Sequence, residues 1–235
     1  MAARGKTEEF ILAGRKCVCF TPETVVRHAA VLCGWRMAEL LPVLSEEIPE
    51  TVLFCSEADG GRDFTPWPAE AVWDGDPFYG EAEKYLRFLE EAVMPYLEEH
   101  FEITEKKDRM IAGYSLGGLF SIWAACETEL FSLAASLSGS LWYPNFLAYM
   151  KLHLPKAEHI YLSLGDREPF GGPPALRAVG KCTEEVYAVL QRENYDVMFE
   201  WNRGGHAKGI ENRWRKALRY AAKHWEERHE TADFI

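Results

Sequence analysis

Positive charge is scarce in this sequence. Its 235 residues carry 26 Lys and Arg against 37 Asp and Glu, a formal charge of −11. Phosphate-backbone binding rests on Lys and Arg neutralising phosphates, so a nucleic-acid partner is set aside. Long hydrophobic runs are missing too, since no apolar stretch approaches the roughly 20 residues of a membrane-spanning helix. The opening segment MAARGKTEEF lacks the apolar core of a secretory signal, so export by that route is not expected. Cysteine is sparse at six residues, with no CxxC and no Cys/His cluster at zinc-like spacing, so no metal site is expected. Cys17 and Cys19 would share one strand face about 6.6 Å apart and point the same way, which is poor disulfide geometry. Buried, reduced thiols in a cytoplasmic protein are the expectation. No repeat, low-complexity tract or linker interrupts the chain, so 1–235 is read as a single domain.

What is present is alternation. Short apolar runs read as strands at 10–20, 28–34, 51–57, 109–115, 133–139, 159–165 and 195–201. Helical spacing fills most of the intervals, at 37–47, 81–101, 116–126, 174–193 and 209–230, with Tyr85, Leu89, Val93 and Tyr96 recurring on one face. The runs at 28–34, 109–115 and 159–165 are apolar at nearly every position, as strands covered on both faces are. The pattern predicts an α/β three-layer sandwich with a mostly parallel central sheet. In such sheets ligands bind beyond the carboxyl ends of the strands, so chemistry is sought just after each strand.

The run 109–115 ends in Gly113-Tyr114-Ser115-Leu116-Gly117-Gly118 and passes directly into an apolar helix. This is the GxSxG nucleophile elbow in its required strand–turn–helix setting, with Ser115 as the nucleophile. A serine hydroxyl needs a base, and in this chain order the acid and then the histidine follow on later loops. Of seven histidines, His206 is the one placed after a strand, in the glycine-bearing loop Asn202-Arg203-Gly204-Gly205-His206. The other six fall at strand starts or on helices and read as bystanders. The acid belongs in Gly165-Asp166-Arg167-Glu168, where Glu168 is favoured for its reach and Asp166 is the alternative. A Ser–His dyad oriented by a backbone carbonyl is the third possibility. The oxyanion hole calls for two N–H donors, Leu116 after the nucleophile and Trp35 in the loop after the 28–34 strand.

These residues resemble the esterase-D/enterochelin-esterase-like branch of the α/β hydrolases. The resemblance spans nearly the whole chain and rests on Cys33-Gly34-Trp35, Arg62-Asp63-Phe64-Thr65-Pro66, GYSLGG at 113–118, SGSLWY at 138–143, GDRE at 165–168 and Gly205-His206. It implies a serine esterase without cofactor, acting on a small-molecule ester through an acyl-enzyme. It also supports Glu168 as the acid, because related esterases carry it three residues after the glycine. Cys33 departs from the Asp or His usual before the oxyanion-loop glycine. A siderophore trilactone or hydroxycinnamoyl ester specialist, an acyltransferase and a silent binding fold are the rival readings. The aromatic 59–80 segment is expected to be a patternless active-site loop that sets specificity. Arg62, Asp63, Trp67, Tyr114, Trp142 and Tyr143 are the candidate substrate-binding residues.

Overall fold

A computed structural model describes residues 4–34, 37–72 and 75–232. Ten strands are present among them: β1 Gly5–Leu12, β2 Arg15–Pro22, β3 His28–Cys33, β4 Thr51–Ser56, β5 Pro68–Ala69, β6 Phe78–Tyr79, β7 Arg109–Tyr114, β8 Leu133–Leu137, β9 His159–Gly165 and β10 Asp196–Asn202. The helices are α1 Met37–Leu44, α2 Gly60–Asp63, α3 Ala82–Phe88, α4 Met94–Phe101, α5 Leu116–Glu127, α6 Phe146–Leu152, α7 Pro174–Arg177, α8 Val179–Arg192 and α9 Ile210–Ala232. Eight strands form one sheet in the order β1-β2-β4-β3-β7-β8-β9-β10. Within this sheet the β1–β2 and β2–β4 pairings are antiparallel, while β4, β3, β7, β8, β9 and β10 run parallel; β5 and β6 form a separate antiparallel ribbon. The expected three-layer α/β sandwich is therefore the observed one.

Side-chain alternation explains why the central strands are apolar throughout. In β7, Ile111 joins the core under α3, α5 and α8, while Met110 and Ala112 join the core under α1 and α9. Each face needs its own apolar set, so a covered strand has no polar position to spare.

Three local readings change. The run 10–20 is not one strand but the tip of a hairpin, because Ala13 (φ 46°) and Gly14 (φ 80°) form a two-residue turn between paired Leu12 and Arg15. Two successive positive φ values match the right-handed strand twist and reverse the chain there. The 81–101 helix is continuous but contains a π turn at Leu89–Val93, just before Pro95. Proline has no N–H and crowds the carbonyl four residues back, and the wider turn accommodates both. The 59–80 segment does carry elements, α2 and the β5–β6 ribbon, each too short to leave a periodicity. Asp59 caps α2 by accepting from the Gly61 and Arg62 N–H groups at 3.0 and 3.2 Å.

All six cysteines are free and all but Cys182 are buried; burial pushes the Cys17 thiol up to about 11 and Cys19 and Cys55 to about 12. No helix among the described residues is long and apolar enough to cross a membrane.

At the amino ends of β9 and β10, Asp196 lies 2.7 Å from His159 Nδ1 and 3.6 Å from His224 Nε2 of α9. Burial, and then the neighbouring His159, hold the His224 pKa below its ordinary 6.5. A histidine depressed in the fold binds its proton more readily when unfolded, so its contribution is present above pH 6.5 and is lost as pH falls below that value. The melting temperature of His224→Gln should therefore decline less between pH 7 and 5 than that of the wild type. Parallel curves in a thermal-shift titration would refute this.

Candidate active site

The elbow is built by contact distances. Ser115 sits at φ 60°, ψ −120°, between the end of β7 and the first residue of α5. Such a backbone costs of order 1–3 kcal/mol and persists only where its surroundings over-determine it. They do so here. Ser115 N–H donates to Leu137 O at 3.1 Å, and its carbonyl accepts from Gly118, Leu119 and Ser140 N–H at 3.0, 3.1 and 2.9 Å. The flanking glycines are forced by crowding. A Cβ on Gly113 would stand 2.0 Å from Gly117 O, and one on Gly117 would stand 2.1 Å from Cys33 O.

His206 reaches the serine from the loop after β10, with Nε2 3.1 Å from Ser115 Oγ. Its Nδ1 lies 2.7 Å from Glu168 Oε2, and the imidazole is 51% exposed while the Glu168 side chain is 4% exposed. The remaining carboxylate oxygen, Oε1, accepts from Gly165 N–H at 2.7 Å, Ser138 Oγ at 2.8 Å and Arg213 Nη1 at 2.8 Å. Burial pushes the Glu168 pKa up, but the bond and charge of His206, with the Gly165 and Ser138 donors, outweigh it and hold the carboxyl below its usual range. Gly165 is needed at this turn, since a Cβ would meet Gly204 O at 2.3 Å and Glu168 Oε1 at 2.8 Å.

Asp166 points elsewhere and accepts from Gly204 N–H at 2.7 Å, tying the histidine loop to the β9 turn. Leu116 opens α5, where backbone N–H groups lack partners within the helix. Trp35 lies outside the described residues.

A cavity of about 340 Å³ opens over Ser115 and His206, walled by Trp142, Leu176 and Val179, with the exposed Arg167 at its edge. No described residue of 59–80 lines it, so the walls come from 138–142 and 167–179 instead. Of the candidate substrate-binding residues, only Trp142 is in the wall. Asp63 is buried in a bidentate pair with Arg15 at 2.8 and 3.0 Å. Arg62 pairs with Glu81 at 3.2 Å and lies over the Tyr79 ring. Trp67 Nε1 donates to Pro144 O, and Tyr143 donates its hydroxyl to Trp67 O. Together they seam the 59–80 segment to the sheet. Tyr114 donates its hydroxyl to the His206 carbonyl. These side chains are engaged with protein because the segment must bury its aromatics to hold its shape.

Sequence reasoning missed Ser138 and Arg213, as well as the Leu176 and Val179 wall. Ser138 carried a signal, since it directly follows β8 at a strand's carboxyl end. Arg213 carried none, being one of many charges on α9.

The fold, with its strained serine between strand and helix, defines an α/β hydrolase. The chain belongs to the esterase family described as "Putative esterase", whose model matches residues 35–224. It is similar to the ferri-bacillibactin esterase BesA of Bacillus subtilis (strain 168), 29% identical over 184 residues covering 68% of this chain. The match spans 60% of that relative's length. Among solved structures it resembles an IroE-like serine hydrolase from Shewanella oneidensis (TM-score 0.74, 18% identity, 92% of this chain and 79% of the other). It also resembles the enterobactin esterase FES from Shigella flexneri (TM-score 0.71, 19% identity, 94% of this chain and 61% of the other).

Proposed function

We propose that the chain hydrolyses carboxylic esters through a Ser115–His206–Glu168 triad and an acyl-enzyme. The observation that carries the reading is the continuous hydrogen-bonded line from Ser115 Oγ through His206 to Glu168, at 3.1 and 2.7 Å. His206 Nε2 takes the hydroxyl proton as Ser115 attacks the ester carbonyl, and Glu168 steadies the imidazolium. His206 then returns the proton to the leaving alcohol. Leu116 N–H, with Trp35 N–H as its proposed partner, stabilises the oxyanion, each donor being worth about 3 kcal/mol. Water deprotonated by His206 releases the acid and frees Ser115. No step calls for a cofactor.

The relative named for ferri-bacillibactin and the neighbour named for enterobactin support a siderophore ester as the first substrate class to try. A cavity of about 340 Å³ lies near the lower end of ligand pockets, a size that suits one acyl arm of such a substrate beside Ser115. Free, mostly buried thiols support a reducing, cytoplasmic setting.

Fluorophosphonate labelling followed by peptide mass spectrometry tests the mechanism. Ser115 should be the modified residue, and His206→Ala should lose the label while keeping its melting temperature. Folded protein that takes no label, or a His206→Ala variant labelled at the wild-type rate, would overturn the reading and favour a binding role.

A further inference from the structure

We infer that Arg213 is a positioning residue whose guanidinium locks the acid, the base loop and the nucleophile's neighbour into one unit. The inference rests on the triad reading above. Arg213 lies near the start of α9, and its side chain is 1% exposed. From Nη1 it donates to Glu168 Oε1 at 2.8 Å, to the Tyr114 hydroxyl at 3.0 Å and to Ser138 Oγ. From Nη2 it donates to Gly205 O at 2.9 Å, the carbonyl immediately before His206. The Tyr114 hydroxyl closes the ring by donating to the His206 carbonyl. One planar group therefore grips the carboxylate that orients the imidazole and, through two carbonyls, the backbone that carries it.

Two features separate positioning from simple stabilisation. A buried ion pair is often no better for stability than well-packed apolar side chains of the same volume. This one is also imperfectly satisfied, since the buried Arg213 Nε has no hydrogen-bond partner among the described residues. The fork nonetheless spans segments from β7, β8, β9 and the loop after β10, which a packed leucine could not hold in register. Arginine suits the place because its donors leave in fixed directions toward several acceptors at once, whereas lysine offers a point charge.

A displacement of about 1 Å at a reacting group costs on the order of 100-fold in rate. Arg213→Lys, which keeps the charge and loses the fork, should therefore lower kcat on p-nitrophenyl butyrate by about 10- to 100-fold with KM within about threefold. The downfield proton resonance of His206 Nδ1–H, identified by its loss in His206→Ala, should broaden or vanish in folded Arg213→Lys. Tyr114→Phe should show a smaller loss of the same kind, and it keeps the test alive if Arg213→Lys does not fold. Wild-type kcat with an intact downfield resonance in the folded variants would overturn the inference. So would a fall in kcat that merely tracks the folded fraction. If Ser115→Ala stays active, the triad reading itself fails; if Ser115→Ala is inactive and the fork variants are not impaired, only the role of Arg213 fails.

Discussion

Ser115→Ala should lower kcat/KM on a short-chain p-nitrophenyl ester by about 10⁶-fold, the scale seen when a triad nucleophile is removed. At about 1.36 kcal/mol per tenfold, that is roughly 8 kcal/mol of lost transition-state stabilisation. What survives should be the part supplied by the oxyanion donors and by binding, about 10³–10⁴ above the reaction in water. Folding should be nearly untouched. The hydroxyl's partner is the half-exposed His206, and the backbone bonds that hold the elbow involve Ser115 N and O, which alanine retains. Kinetics paired with a melting curve decide the matter: a variant holding more than about 1% of the activity would rule Ser115 out as nucleophile.

Glu168→Gln should cost about 10⁴-fold in kcat, whereas Asp166→Asn should stay within a few-fold. The reason lies in how the two carboxylate oxygens are used. Oε1 accepts three donors, from Gly165, Ser138 and Arg213, so only the amide oxygen can occupy that position in glutamine. The amide NH₂ must then face His206 Nδ1. A donor there forces Nδ1 to accept and puts the ring proton on Nε2, the atom that has to take the serine proton. The variant would hold the wrong tautomer, and because it leaves the buried Arg213 charge unpaired it should also melt lower, so kcat is compared on folded protein. Asp166 is exposed and its carboxylate accepts from the Gly204 N–H of the neighbouring loop, so its amide keeps the acceptor that matters. Equal losses in the two variants, measured as kcat on one ester, would show that the acid has been misassigned.

How much could be read beforehand depended on how local each feature is. Ser115 was legible because its glycines, strand and helix are contiguous, and crowding at Gly113 and Gly117 leaves few other sequences that fit. His206 was legible from strand order. The choice between Glu168 and Asp166 was open in the residues themselves. The turn at Gly165 folds the longer side chain back against His206 and turns Asp166 toward Gly204, and this geometry supports Glu168 for the proposed role. Arg213 was illegible because α9 is rich in charge and the burial of one arginine is decided by what the sheet presents to it. The sequence offers Trp67 of 59–80 and Tyr143 as pocket residues, but an aromatic loop must first cover itself. Trp67 and Tyr143 do that, while the cavity wall is drawn from a stretch whose leucine and valine look like ordinary helix residues.

The cavity wall at 171–179 hangs from the chain between the β9 turn and α8, carries Gly171, Gly172 and Leu176, and meets the Ser115–His206–Glu168 line through backbone, where Gly171 N–H donates to the Glu168 carbonyl at 3.3 Å. The side chains of this wall and the side-chain bonds of the proposed triad thus lie in largely separate stretches of polypeptide. This arrangement is a cassette: a descendant could exchange a handful of rim residues and acquire a new acyl preference while inheriting its chemistry intact. A lineage built this way has room to diversify at the mouth of the pocket without disturbing its floor.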